Sequence, residues 1–384
     1  MCGDDRLTHL PEPILCHILS FLDTKSTVQT SVLSRGWNRT WKHVPALDLH
    51  TNFFRQAAEF DRFVSKVLSL RYDDLKLRKV FYYGGDGSLP KDKGSMSLQV
   101  VDYALSHDVE ELALHRNIRD ETYWNFSVIF SDYCDTNSEK RKKKKKTNSH
   151  LKALDLDWIN LDHGFATCSG FPMLTTLTLR SCPFGTARGL TLTNFPCLKN
   201  LSMNFCYRTE GSGMGRKLKI HGPQLLSLKL ELMACYEIEI YAPELETFTL
   251  CEKVTTGTVG NGFFDSAPIP DLDRADIELK APDPGMKRLD RTVAGEYLRS
   301  LFQYVQSAKN LKLRSSSTVV ILNCMRDEIL EQHPSPFKRM ESLILPDNKL
   351  HDKVIDYFFE ASSCKEPNIF VGDAHGRSSM DTVQ

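Results

Sequence analysis

The sequence carries no surplus charge of either sign: 49 Lys and Arg stand against 49 Asp and Glu. That balance supplies no global field to gather nucleic acid or a membrane surface. No run approaches the roughly 20 apolar residues a membrane-spanning helix needs. The first ten residues, "MCGDDRLTHL", hold two adjacent acids where a secretory leader has a basic region and an apolar stretch. Among the eleven cysteines there is no CxxC pair and no pairing with His at zinc-finger spacing. Neither a disulfide framework nor a structural zinc is therefore expected, and scattered free thiols suit a reducing compartment. The expected location is the cytoplasm or the nucleus. Enzyme signatures are missing too. No G-x-S-x-G elbow or H-E-x-x-H pair occurs, and His107, His115, His163 and His221 are dispersed. "GSGMGRK" (211–217) fails the spacing of a phosphate-binding loop, and "YYGGDG" (82–87) reads as a turn. No catalytic residue, metal or cofactor is expected.

What is present begins with a dense apolar segment, "LPEPILCHILSFLDTKSTVQTSVLSRGWNRTW" (10–41). Leu10-Pro11 makes a turn, because proline restricts the residue before it. Ile14, Leu15, Ile18, Leu19 and Leu22 then form one wide stripe on a helix. Thr24 is a candidate cap for a second helix bearing Val28, Val32 and Leu33, and Ser34 for a third, on which Trp37 and Trp41 share a face. Residues 51–70 read as a further amphipathic helix, with Phe53, Ala57, Phe60, Val64, Val67 and Leu68 on its apolar side.

From about residue 72 a short phrase recurs, apolar at its first, fourth and sixth places. It reads "VEELAL" (109–114), "LKALDL" (151–156), "LTTLTL" (174–179), "LKNLSM" (198–203), "LLSLKL" (225–230), "LETFTL" (245–250) and "MESLIL" (340–345), with weaker copies "YDDLKL" (72–77) and "AKNLKL" (308–313). Starts at 151, 174, 198, 225 and 245 lie 23, 24, 27 and 20 residues apart, within the leucine-rich-repeat range. Cys182, Cys206, Asn117 and Asn348 fall at the Asn/Cys position, where a side chain bonds backbone at the turn, and Leu350 completes the last copy. One repeat cannot bury its own leucines, but stacked neighbours form a continuous core. Pro172, Pro196, Pro223 and Pro243 each stand two residues before a repeat's first Leu, suiting the approach to a strand. "LKIHGPQL" and "IEIYAPEL" place a second alternating strand before that proline, so some repeats are expected to pack two strands per turn. The run Arg141 to Lys146 within 131–150 reads either as a nuclear-localisation or phosphate-binding patch, or as a self-repelling loop tip. Residues 254–295 read as an irregular repeat with a long loop, and the last dozen residues as disordered.

Residues 5–49 closely resemble an F-box of the kind found in plant F-box proteins with leucine-rich repeats. The resemblance rests on Leu10-Pro11, the run Ile14 to Leu22, "TSVLS" (30–34), the paired tryptophans and the exit "VPALDL" (44–49). Gly36 departs from it, standing where the family has a basic residue. "PSPFKRMESLIL" (334–345) resembles the stretch before the family's C-terminal FBD domain, which is expected here to be truncated or absent. The implied fold is α/β: a three-helix F-box (1–50), a linker helix (51–71), a repeat solenoid with short parallel strands (72–350) holding a Lys-rich loop at 131–150, and a C-terminal segment (351–384). The resemblance implies docking on a Skp-type adaptor, and through it a cullin, in a ubiquitin ligase whose substrate receptor is the F-box chain. Carried over residue by residue, the adaptor contact is expected at Leu10, Pro11, Ile14, Leu15, Ile18, Leu22, Val32, Leu33 and Trp37, with Leu19 and Trp41 inside the box. A helical piece of about 40 residues is near the lower size limit for folding alone, which agrees. A solenoid's strand face is an extended binding surface. Its outward positions Lys152, Asp155, Asp157, Thr178, Arg180, Ser202, Asn204, Lys229 and Glu231 are candidate contacts for an unknown protein substrate. The rival readings are a repeat scaffold without a ligase role and a nucleic-acid binder using the Lys run, the latter disfavoured by the zero net charge.

Overall fold

The computed structural model describes residues 10–33, 37–84, 95–116, 123–134, 146–184, 190–208, 217–232, 237–253, 267–280, 291–324, 326–330, 334–364 and 366–372. Ser34, Gly36, residues 85–87, Asn117, residues 141–145 of the basic run, residues 211–216 and the tail from 373 lie outside them. So does much of the 254–295 loop, whose described part holds a strand at Arg274–Lys280. No described helix is long and apolar enough to cross a membrane. The chain divides into two compact units, 1–185 and 186–384.

The first unit opens with short helices α1 (Glu12–Leu19), α2 (Thr24–Gln29) and α3 (Trp37–Thr40), joined by single turns of 3₁₀ helix at Thr30–Val32 and Trp41–His43. The cap of α2 is Asp23, whose carboxylate accepts from the Ser26 N–H at 2.9 Å, and Thr24 becomes the first helical residue. A one-residue shift of this kind follows from the stronger acceptor taking the cap. The next helix, α4, runs from Ala57 to Leu70. It starts six residues later than the apolar spacing suggests, because Thr51–Phe53 forms a 3₁₀ turn. Helix α4 packs on α5 (Met96–Ser106), which packs on the sheet.

That sheet orders the strands β1 (Ala46–His50), β2 (Lys79–Gly84), β3 (Glu111–Arg116), Ala153–Asp157 and Thr176–Arg180 side by side, each parallel to the next. Two inward rows cross it: Leu47, Val80, Leu112, Leu154, Leu177 and Leu49, Tyr82, Leu114, Leu156, Leu179, all buried. Full burial of one such aliphatic chain is worth about 1.5–3 kcal/mol gross. "YDDLKL" is not a strand. The strand of that turn is β2, with Val80 and Tyr82, five residues beyond Leu75 and Leu77, in the places leucines hold elsewhere. Cys182 performs the turn role read from its position: it is buried, and its thiol donates to the Leu156 carbonyl at 3.4 Å. Asn148 does related work before the 151 repeat, accepting from the N–H of His150 and of Leu151 and donating to the Leu105 carbonyl.

The box and the first repeat share one buried cation. Arg71 donates to the carbonyls of Trp41, at 3.2 Å, and of Val44. Burial lowers its pKa, and Tyr103 beside it works in the opposite direction.

The second unit stacks strands Asn200–Asn204, Ser227–Leu232, Thr247–Lys253, Arg274–Lys280, Asn310–Leu313, Ser342–Leu345 and Asn368–Val371, again parallel neighbours. Leu201, Leu228, Phe248, Ala275, Leu311 and Leu343 form one buried row. A second, three-stranded parallel sheet of Leu190–Thr191, Lys217–His221 and Glu237–Tyr241 confirms the two-strand turns. Leu350 is buried, but Asn348 is exposed and does not take the buried turn role its position suggests.

On the outer face of this unit Asp276, only 3% exposed, holds two guanidinium groups. Arg274 reaches it at 2.7 Å and Arg314 at 2.6 Å. Burial alone would raise this carboxyl, but the bonds from both arginines outweigh it and hold the pKa below the ordinary 3.8. A depressed carboxyl contributes stability above its unfolded pKa, and that contribution is lost as pH falls through the folded value. Asp276→Asn is therefore expected to cost about 2 kcal/mol at neutral pH. It should also flatten the loss of stability below pH about 4, as read by urea unfolding of both chains over that range.

Candidate binding surfaces

The inside of the box is small. Leu15, Leu19, Trp37 and Val44 make its buried cluster, with Leu10 and Ala46 packed against it and Trp41 buried nearby. From α2 the inward groups are hydroxyls. Thr27 donates to the Leu19 carbonyl at 3.2 Å, and Thr24 accepts from the Asp48 N–H at 2.8 Å. On the 3₁₀ turn that follows α2, Val32 and Leu33 stand 85% and 68% exposed.

On α1 the partition is equally sharp. Leu15, Cys16 and Leu19 point in, while Ile14, Ile18 and Leu22 remain open to solvent. Pro11 is exposed and serves as the N-cap, and Leu10 is half-buried. Two expected adaptor contacts are corrected. Leu15 and Trp37 lie in the core of the box, packed in one cluster with Leu19 and Val44, and have almost no outward surface to offer. One exposed residue was missed by the sequence reading. Phe21, just past α1, is 73% exposed and edge-on to His17 at 4.9 Å. Its position seven after Ile14 would have placed it on the same helical face. Ile14, Ile18, Phe21, Leu22, Val32 and Leu33 are thus six large apolar side chains exposed on a folded domain of about 40 residues. Scattered single residues of this kind are ordinary, but six on so small a domain mark an interaction surface.

The repeat candidates fall into two groups, one in each unit. In the first, Asp155 accepts from Arg180 through two bonds, at 3.1 and 3.2 Å, and pairs with His115 at 3.3 Å. Burial would raise the Asp155 carboxyl, but its bonds to His115 and Arg180 hold it low. Asp157 and Thr178 share the outward face, and burial pushes Asp157 up. Lys152 sits just before the strand and turns to Glu110 at 3.2 Å. In the second unit Ser202 and Asn204 lie in register with Lys229 and Glu231, and Glu231 pairs with Lys280 at 3.6 Å. The sequence reading also missed His50, Phe81, Tyr83 and His115, which occupy outward positions of β1–β3. The outward places of those strands carried the signal, once β2 is located. Among the described residues no group of three or more His, Cys, Asp or Glu is arranged to hold a metal ion.

Residues 7–48 match the F-box domain family. An FBD-associated F-box protein of Arabidopsis thaliana is 52% identical over 69 residues, 18% of this chain and 16% of the relative. An F-box/FBD/LRR-repeat protein of the same plant is 44% identical over 79 residues, 20% of this chain and 16% of the relative. An F-box/LRR-repeat protein, also from Arabidopsis thaliana, aligns at 25% identity over 250 residues, 65% of this chain and 48% of the relative. The chain thus spans less than half the length of each of these relatives. With the box matched and stacked parallel strands following it, the chain carries an F-box and is similar to plant F-box proteins with leucine-rich repeats, FBD-associated ones among them.

Proposed function

We propose that this chain is the substrate-receptor subunit of a Skp-cullin-F-box ubiquitin ligase. The observation that carries the reading is the row of six exposed apolar side chains on an otherwise closed box. A Skp-type adaptor would cover that row and join the chain to a cullin, while the outward strand face of the repeats takes a protein substrate. The chain itself makes and breaks no bond in this scheme. It raises the local concentration of a substrate lysine beside the loaded conjugating enzyme, an effective-molarity effect. We place this work in the cytoplasm or nucleus. Co-expression of the full chain with a Skp-type adaptor tests the reading: a stable one-to-one complex on size exclusion is expected. A chain that elutes free of the adaptor would leave only a repeat scaffold and defeat the ligase role.

A further inference from the structure

The outward face of β1–β3 carries a cluster of rings. His50 lies 5.2 Å from Phe53, 4.8 Å from Phe81 and 5.4 Å from Tyr83, centroid to centroid, and Phe81 stands edge-on to His115 at 4.8 Å. All five rings sit on the side of the strands away from the buried rows, and none is fully buried. The faces of the rings on such a ledge carry negative charge density and their edges positive.

The charges around it lean the same way. Arg180 is committed to Asp155 by two bonds, and Lys79 is turned to Glu111 at 3.8 Å. Asp48 and Asp157 remain at opposite ends of the ledge. Asp48 is near His50 at 3.4 Å. Burial pushes both carboxyls up, and His50 and Lys79 beside Asp48 and His115 and Arg180 beside Asp157 offset this only in part.

We propose that this ledge seats a basic side chain, Arg or Lys, presented by the protein substrate. The inference rests on the receptor reading above and names the substrate chemistry that the first unit would select. A cation over Phe81 or Tyr83 gains the ring quadrupole, and Asp48 or Asp157 supplies the opposite charge. Arginine suits the site best, since its flat guanidinium stacks and forks at once. An acidic or phosphorylated segment would meet the like charge of two carboxylates.

Oriented peptide libraries with a fixed central Arg, Lys, Ala, Glu or phosphoserine, captured by the immobilised full chain, test this. Arg and Lys libraries are expected to be retained over Ala, with Glu and phosphoserine excluded. Asp48→Asn and Asp157→Asn should each weaken retention about tenfold, and Phe81→Leu, which keeps the bulk but removes the ring, should do likewise. Adaptor binding is measured on the same preparations. Preference for Glu or phosphoserine, or Arg retention untouched by all three substitutions, overturns the basic-ligand assignment while an intact adaptor complex leaves the receptor reading standing. Failure of the unaltered chain to bind the adaptor defeats the receptor reading instead, whatever the libraries show.

Discussion

Ile14→Asp combined with Ile18→Asp is expected to abolish capture of a Skp-type adaptor while leaving the thermal unfolding of the chain unchanged. Both side chains are exposed, 46% and 37%, and neither belongs to the cluster that closes the box. Replacing them in the free chain therefore removes no internal contact. In the complex, each carboxylate would have to lie against an apolar partner surface and lose its water. Central apolar positions of an interface cost about 2–4 kcal/mol each when lost, and a desolvated unpaired charge adds to that. Binding weaker by at least about 30-fold follows from one such position alone. Val32→Asp with Leu33→Asp forms the matching pair on the 3₁₀ turn. The measurement is adaptor co-purification alongside a melt of each variant. Retained binding in both pairs would mean that the exposed row is not the docking surface. Leu15→Asp is not a substitute, because Leu15 is core, and its loss of binding would report only an unfolded box.

Arg71→Leu should produce the second large effect, this time on stability. The guanidinium is 6% exposed and is the buried donor to two carbonyls of the turn that ends the box. Leucine fills part of the volume but donates nothing, so the carbonyls of Trp41 and Val44 would be left dry. Each orphaned buried acceptor costs about 1–3 kcal/mol. A loss of roughly 3–5 kcal/mol is expected from breaking a buried charged network, a large fraction of a domain's total stability. The damage should concentrate at the junction of box and first repeat. Protease nicking near residues 41–45 at temperatures where the unaltered chain resists is the expected signature, together with a lower denaturant midpoint. Unchanged nicking and midpoint would show that the turn is held by other contacts.

How far the sequence carries depends on which residue types speak for themselves. Leucine at first, fourth and sixth places marks a repeat strand because only the stacked solution buries all three, and strands at Ala153–Asp157, Thr176–Arg180 and Asn200–Asn204 stand where that spacing puts them. The strand at Lys79–Gly84 was invisible to the same rule, since Val80 and Tyr82 fill its inward places and a leucine decoy, Leu75 and Leu77, lies five residues earlier. In the box the difficulty is length. On α1, eight residues long, Ile14 and Ile18 form one pair at helical spacing and Leu15 and Leu19 another. Periodicity alone cannot tell which pair faces in, so Leu15 was assigned to the wrong side. The inward role of Thr24 and Thr27 was hidden for a related reason: their hydroxyls bond backbone that only the folded chain brings near. The aromatic ledge needed register, because its five rings come from three segments of the chain.

The two-strand turns of the second unit have a mechanical consequence. Among the described residues between 190 and 241 parallel strands stand on both sides, with Leu190, Ile220 and Ile240 stacked in the rear wall as leucines are in the front one. A helix-backed coil can tilt on its neighbour by sliding greasy knobs, whereas a coil laced on both walls must break backbone bonds to do so. That span should behave as a splint, with bending and deuterium uptake displaced toward the helical coils elsewhere in its unit, so that whatever grips it meets a surface that does not yield.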